Sequence, residues 1–214
     1  MMRLLFPPKC VLCGKLLGRE EQDLCLPCRR DTPPYPDKRT RYPHLAKVTG
    51  LWYYKENARK SLLLFKFYGH RSNARSYGRL LAQKLQQTGC EFDVLTWVPI
   101  SRLRLWRRGY DQSRLLAEAL GEALNVTPTK TLVKFRHRKP QSRLKHGPQR
   151  KANVLGAYRC ICPREVLGKR ILLVDDIFTT GATSGECARM LLEAGAKSVA
   201  LAVVAGADHT NNSR

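Results

Sequence analysis

The stretch ILLVDDIFTTGAT, residues 171 to 183, narrows the folds open to this chain more than any other. Four apolar residues end in two adjacent acids, and a loop of hydroxyl and glycine residues then runs into TSGECARMLLEAG, a helical pattern. A short, fully apolar run of this kind is a strand covered on both faces, and it belongs in a parallel sheet flanked by helices. The surrounding segments repeat the alternation. FDVLTWVPI (92 to 100) reads as a strand, and residues 111 to 125 read as an amphipathic helix with Leu115, Leu116, Ala119, Leu120 and Ala123 inward. TKTLVKF (129 to 135), GAYRC and KSVALAVVAGA supply further strands. Upstream, KVTGLWYYKE reads as a strand or hairpin, SLLLFKFYGH as either strand or helix, and residues 72 to 87 as a helix with Tyr77, Leu80, Leu81 and Leu85 on one face. The expected fold class is α/β.

Ligands of such sheets bind at the carboxyl ends of the strands, which is where Asp175 and Asp176 stand. Neighbours in a regular strand point to opposite faces, so for both acids to meet one ligand the chain is expected to leave the strand there. That makes residues 177 to 181 the turn and starts the helix near Thr183, where Thr183-Ser184-Gly185-Glu186 matches a capping box. Thr179, Thr180, Gly181, Ala182 and Thr183 then bring N–H groups, hydroxyls and the positive end of a helix dipole together, a seat for a phosphate dianion. Two carboxylates beside it suit a vicinal diol or Mg²⁺, and phosphate plus diol describes a ribose 5-phosphate. The plainer reading leaves the acids solvating a strand end and Thr183 as a cap. The chain contains neither G-x4-G-K-[ST] nor G-x-G-x-x-G, which removes P-loop and dinucleotide-binding readings.

The first thirty residues carry a second signature. Cys10-x-x-Cys13 and Cys25-x-x-Cys28, eleven residues apart, suit one tetrahedral four-sulfur zinc site with no open position, hence a structural one, and Gly14 eases the first knuckle. Glu20, Glu21 and Asp23 between the pairs argue against phosphate reading by this module. A Pro-rich stretch follows, so the expected organisation is a zinc module at 1–30, a linker at 31–47, a main domain at 48–208 and a tail at 209–214. With 39 Lys+Arg against 17 Asp+Glu the net charge is +22, and no acid lies between Glu56 and Glu91 or between Glu122 and Glu165. Such a surface attracts polyanions or phosphorylated ligands. No apolar stretch is long enough to span a membrane, and MMRLLFPPKC holds Pro-Pro where a signal peptide keeps an apolar helix, so a cytoplasmic protein is expected.

ILLVDDIFTTGAT is similar to the phosphoribosyl-pyrophosphate (PRPP) motif of type I phosphoribosyltransferases: an apolar strand, two acids, two residues, Thr-Thr-Gly, then x-Thr. The order of the four-cysteine module, VPISRLRLWRRGYDQS (98 to 113), QSRLKHGPQRKANVLGAY (141 to 158) and the PRPP motif resembles the ComF family, the ComFC-type proteins associated with DNA uptake in natural competence. The resemblance implies a type I phosphoribosyltransferase fold with a hood-like part at 48–91 and a core at 92–208. It implies that Asp175 and Asp176 take the ribose and, with Mg²⁺, PRPP, and that residues 179 to 183 take the 5-phosphate. Val98, Pro99, Ile100 and Ser101 match the pyrophosphate loop. Arg104 and Arg108-Gly109-Tyr110 match the family's R-x3-R-G-[FY], with Arg108 grouped with the two acids as catalytic. Gln141, Arg150 and Asn153 match ComF positions in the hood-like loop 136 to 154, where His137 and His146 read as solvated.

Two functions stay open on the sequence. One is an enzyme that transfers phosphoribose to an acceptor, with a small-molecule acceptor and no role in DNA uptake as the alternative. The other is a DNA-associated protein with a PRPP site, for which the resemblance implies single-stranded DNA and a competence helicase as partners. Trp52, Tyr53, Tyr54, Phe65, Phe67, Tyr68 and Trp106 are candidates for base stacking, with core packing as the competing role.

Overall fold

A computed structural model of the chain describes residues 7–36, 38–39, 42–135 and 155–207. Its centre is a five-stranded sheet of β1 (Lys38–Arg39), β2 (Lys47–Tyr53), β3 (Val94–Trp97), β6 (Arg170–Phe178) and β7 (Ser198–Gly206), in the order β1-β2-β7-β6-β3. β2, β7, β6 and β3 run parallel, and β1 closes one edge antiparallel. The apolar runs forecast this: Ile171, Leu172, Leu173 and Val174 are all buried, as are residues 201 to 205 of β7, because layers cover both faces. Leu172, Val174, Ala202 and Val204 face α2 (Glu56–Phe67), α3 (Asn73–Gln87) and α5 (Gln112–Leu124). Ile171, Leu173, Leu201 and Val203 face α7 (Ala182–Glu193) on the other side. A separate two-stranded antiparallel ribbon, β4 (Leu132–Lys134) with β5 (Tyr158–Cys160), lies beyond β3 in sequence and is followed by the short α6 (Pro163–Val166).

The segment 61 to 68, open between strand and helix, is settled by burial. Ala58, Ser61, Leu62 and Phe65 are buried at helical spacing and place α2 against the sheet. In α3, Tyr77, Leu81 and Leu85 are buried, and Gly78 lets the helix meet α5 so closely that a Cβ there would stand 2.5 Å from the Ala119 backbone. Ala123, expected inward, is exposed. The chain reverses at Asn125 in a left-handed cap and folds Val126 back over Gly121, so the last turn of α5 buries a different side.

Two expectations about organisation change. Within the stretch expected as linker, the segment around Tyr35 is packed against the sheet. Pro34 bridges Trp52, the Tyr35 N–H donates to the Leu51 carbonyl at 3.0 Å, and the buried Tyr35 ring fills the space that the missing side chains of Gly50 and Gly206 leave. β2, assigned to the hood-like part from the sequence, pairs with β7 inside the central sheet. Parallel pairing between segments so far apart in the chain leaves no local trace in either of them.

The zinc module is also built into the core. Val11, Leu12 and Leu24 join the cluster formed by Trp52, Phe65 and Tyr77. Ser61 Oγ donates to the Val11 carbonyl, and Arg79 Nε donates to Asp23 Oδ2 at 3.0 Å. Asp23 is only 5% exposed, so one member of the acidic group serves as the anchor between module and α3.

Candidate functional site

β6 does not end at its acids. It continues to Phe178, pairing with β7 as far as Phe178 opposite Gly206, so the turn is residues 179 to 181 and not 177 to 181. The opening on the other side comes from β3. That strand stops at Trp97, and the last rung is the Val98 N–H on the Val174 carbonyl at 2.9 Å. From Asp175 onward β6 has no strand beside it there, and both carboxylates line a cavity of about 190 Å³ in the notch.

The two acids are held differently. Asp175 Oδ1 accepts from Ser113 Oγ and from the Asp176 N–H, each at 2.9 Å, while Asp176 Oδ2 meets Lys66 Nζ of α2 at 2.9 Å. Burial, and next the adjacent Asp176 charge, raise the Asp175 carboxyl to about 7, and Lys66, Ser113 and the backbone N–H only partly oppose this. The pair is therefore short of positive charge, a place where a divalent cation fits.

Opposite the acids is the start of α7. Gly181 is its N-cap at φ +69, and a Cβ there would come 2.9 Å from the Tyr42 ring and 3.1 Å from Phe178. The Ala182 N–H reaches Thr180 Oγ1 at 3.4 Å, and the first bond back along the helix is Gly185 N–H to the Gly181 carbonyl. Among the described residues the N–H groups of Thr183 and Ser184 have no backbone acceptor, and they stand at the positive end of the helix beside the cavity. The capping box does not form. The helix starts one residue before Thr183, and Glu186 instead accepts from the Gly156 N–H at 2.7 Å and pairs with Arg189. Thr179, Thr180, Gly181, Ala182 and Thr183 all border the cavity.

A third wall comes from the segment after β3. Val98, Pro99 and Ile100 border the cavity, with the Ile100 N–H on Asp111 Oδ2 at 3.3 Å. Ser101 is buried and serves α4 (Arg102–Arg108) instead: its Oγ accepts from the Arg104 N–H as N-cap, and it does not line this cavity. Arg104 and Arg108, one turn apart on α4, both line it. The Arg108 guanidinium lies 4.8 Å from the Phe67 ring and donates to Gln112 Oε1 at 2.9 Å.

Three contributors escaped the sequence. Lys66 and Ser113 fix the two acids, and Lys134 of β4, its Nζ 3.0 Å from the Tyr158 hydroxyl, lines the cavity from the ribbon. Burial lowers the Lys134 pKa and raises that of Tyr158. The signal for Lys66 was a cation inside the otherwise apolar LLLFKF. Gln141, Arg150, Asn153, His137 and His146 lie outside the described residues.

In the zinc module the sulfurs of Cys10, Cys13, Cys25 and Cys28 all lie within 4.8 Å of one another, and Cys13 and Cys25 stand 3.6 Å apart. A tetrahedron of Zn–S bonds has edges of about 3.8 Å, so the set fits the ion. Burial pushes the Cys28 thiol far above its usual range, and a bound cation offsets that cost. Gly14 takes the left-handed φ of +75 expected of the knuckle. The site holds structural Zn²⁺.

Comparison with known families agrees with both parts. Residues 1–41 match the double zinc ribbon domain, and residues 112–213 match the phosphoribosyl transferase domain. The chain is thus a phosphoribosyltransferase-like α/β protein carrying an N-terminal zinc ribbon. It is 26% identical to competence protein F of Haemophilus influenzae over 92% of this chain and 96% of that one. It is 35% identical to the DNA utilization protein YhgH of Salmonella typhimurium, over 63% of this chain and 60% of that protein, so that match spans less than two thirds of the relative. Competence protein ComFC of Streptococcus pneumoniae is 33% identical over 63% of this chain and 57% of that one. The similarity is to the ComF family, in the competence and DNA-utilization relatives alike. Among the described residues no helix is long and apolar enough to cross a membrane.

Proposed function

We propose that the cavity binds the ribose 5-phosphate part of PRPP, with Mg²⁺, and that the protein works on the cytoplasmic side in DNA uptake. The observation that carries this is the single cavity in which Asp175 and Asp176 face residues 179 to 183, a diol acceptor opposite a phosphate seat. The hydroxyls of the ribose fall to the carboxylates, the 5-phosphate to the free N–H groups at the start of α7, and Mg²⁺ to the charge-poor acid pair. Val98, Pro99, Ile100, Arg104 and Arg108 border the same cavity and would take the leaving pyrophosphate, which supports transfer to an acceptor as the activity of the site. The names of the competence and DNA-utilization relatives support the role in DNA uptake, and a competence helicase is proposed as a partner on the family resemblance alone.

Single-stranded DNA is the proposed macromolecular ligand. Of the seven aromatic candidates, Trp52 and Phe65 are core residues, whereas Phe67, Tyr68 and Trp106 are 60%, 71% and 81% exposed near the arginines of α4. Its binding should weaken steeply with salt, and a flat response would remove phosphate contacts from the account.

The site is tested by thermal denaturation with PRPP and Mg²⁺. Ligand raises the Tm of the wild type, and Asp175→Asn with Asp176→Asn abolishes the shift. An undiminished shift in the double variant would refute the assignment.

A further inference from the structure

We propose that a second cleft beside the sugar cavity binds a nucleoside 5′-monophosphate, either free or as the 5′ end of a strand. The proposal leans on the preceding reading only in taking the first cavity for the phosphoribosyl ligand. The cleft lies between the turn joining α2 to α3 and helix α4, with a volume of about 430 Å³. That is room for a mononucleotide. Arg71, Arg104, Arg107 and Arg108 surround it, over a floor that includes Phe67 and Tyr110.

Scattered surface arginines are usually solvated, but these are arranged. Among the described residues no carboxylate pairs with Arg71, Arg104 or Arg107. Arg71 lies 4.5 Å over the Tyr110 ring and Arg108 lies 4.8 Å over Phe67. Tyr110 is itself fixed, its hydroxyl donating to the Phe65 carbonyl. Stacking uses the face of a guanidinium and leaves its N–H edge for an anion, so these cations are held in place before any ligand arrives. Several of them converging on one cleft suit the concentrated charge of a phosphate monoester better than a diester chain, which needs an extended track. The exposed Phe67 and Tyr68 rings beside it can stack a base.

Lys66, Arg104 and Arg108 line both cavities, so a nucleotide in the cleft and a sugar phosphate in the notch meet across one set of cations. Arg71 and Arg107 line the cleft and not the notch, which lets the two sites be separated by substitution.

The test is calorimetric titration of the full chain at about 0.2 M salt, where non-specific phosphate contacts are suppressed. The probes are a deoxynucleoside 5′-monophosphate, a 5′-phosphorylated oligodeoxynucleotide and the same strand with a 5′-hydroxyl, each with and without ribose 5-phosphate. Expected is binding of at least one phosphorylated probe, with the hydroxyl strand about tenfold weaker or worse. Arg71→Gln with Arg107→Gln should weaken the phosphorylated probe about tenfold or more and leave ribose 5-phosphate affinity within about twofold. Which phosphorylated probe binds tells free nucleotide from strand end. Equal binding of the hydroxyl strand, an unaffected double variant, or displacement of the nucleotide by ribose 5-phosphate would overturn the proposal. If ribose 5-phosphate binds nowhere, the proposed function falls, and the titrations without it still decide the cleft.

Discussion

Replacing Lys66 by Met keeps the aliphatic stem of the side chain and removes the ammonium that stands 2.9 Å from Asp176 Oδ2. At that distance two unit charges attract by about 6 kcal/mol for an effective dielectric constant of about 20. Asp176 is 6% exposed, and stripping a buried charge of its partner costs about 3–5 kcal/mol. Arg108 also borders the cavity and supplies some compensation, so the expected loss is about 2–4 kcal/mol at pH 8. The pH dependence fixes the sign. A carboxyl whose folded pKa is raised keeps a proton that the unfolded chain releases, so stability falls as pH climbs from about 4, the unfolded value, to about 7, where Asp175 titrates in the fold. Losing Lys66, one of the charges that hold Asp175 down, lifts that carboxyl further and deepens the fall. Urea denaturation of wild type and variant from pH 4 to 8.5 should show a small deficit at pH 4 that widens as the pH rises through 7 to 8.5, partly restored by Mg²⁺ in the ammonium's place. A deficit equal at both ends, or none at pH 8, would refute the reasoning.

Zinc removal should destabilise the whole chain. Because Val11, Leu12 and Leu24 share a core with α2 and α3, calorimetry of the chelator-treated, reduced protein is expected to give one transition at lower temperature, and a separately melting module would contradict the shared core. Gly181→Ala forces a side chain into a left-handed position 2.9 Å from Tyr42, at a cost of about 1–2 kcal/mol, and should loosen ribose 5-phosphate by disturbing the turn before α7. Unchanged affinity by calorimetry would remove that turn from the phosphate seat. Asp23→Ala removes the buried partner of Arg79, whose half-exposed guanidinium can turn to solvent, and should cost about 1–2 kcal/mol in urea denaturation without altering zinc content, whereas loss of the metal would show that the anchor also shapes the knuckles.

The parts of the site carried by contiguous residues were legible in the chain. The strand, the two acids and the turn into α7 lie in thirteen consecutive residues, and the four cysteines in two short loops. What pairs across the fold was not. Lys66 and Ser113 reach the acids, and Lys134 their cavity, only because α2, α5 and the β4–β5 ribbon converge at the notch beyond β3, and no local pattern announces that. The capping box shows the converse: a matching motif lost to a helix that starts one residue early, because glycine at the N-cap takes a conformation that threonine resists. Ser101, matched to the pyrophosphate loop, spends its hydroxyl on the end of α4. Tyr35 and the prolines around it looked like a linker because prolines mark loops, whereas glycines in β2 and β7 had opened a seat for the ring.

The central claim is that one cavity holds a ribose 5-phosphate between its acids and a helix start. A crystal structure of the chain soaked with ribose 5-phosphate and Mg²⁺ measures this directly. The account predicts phosphate density against the N–H groups of Thr183 and Ser184, with the ribose hydroxyls or their metal at Asp175 and Asp176. Sugar phosphate found only in the arginine cleft, or bound with its hydroxyls turned away from both acids, would contradict it.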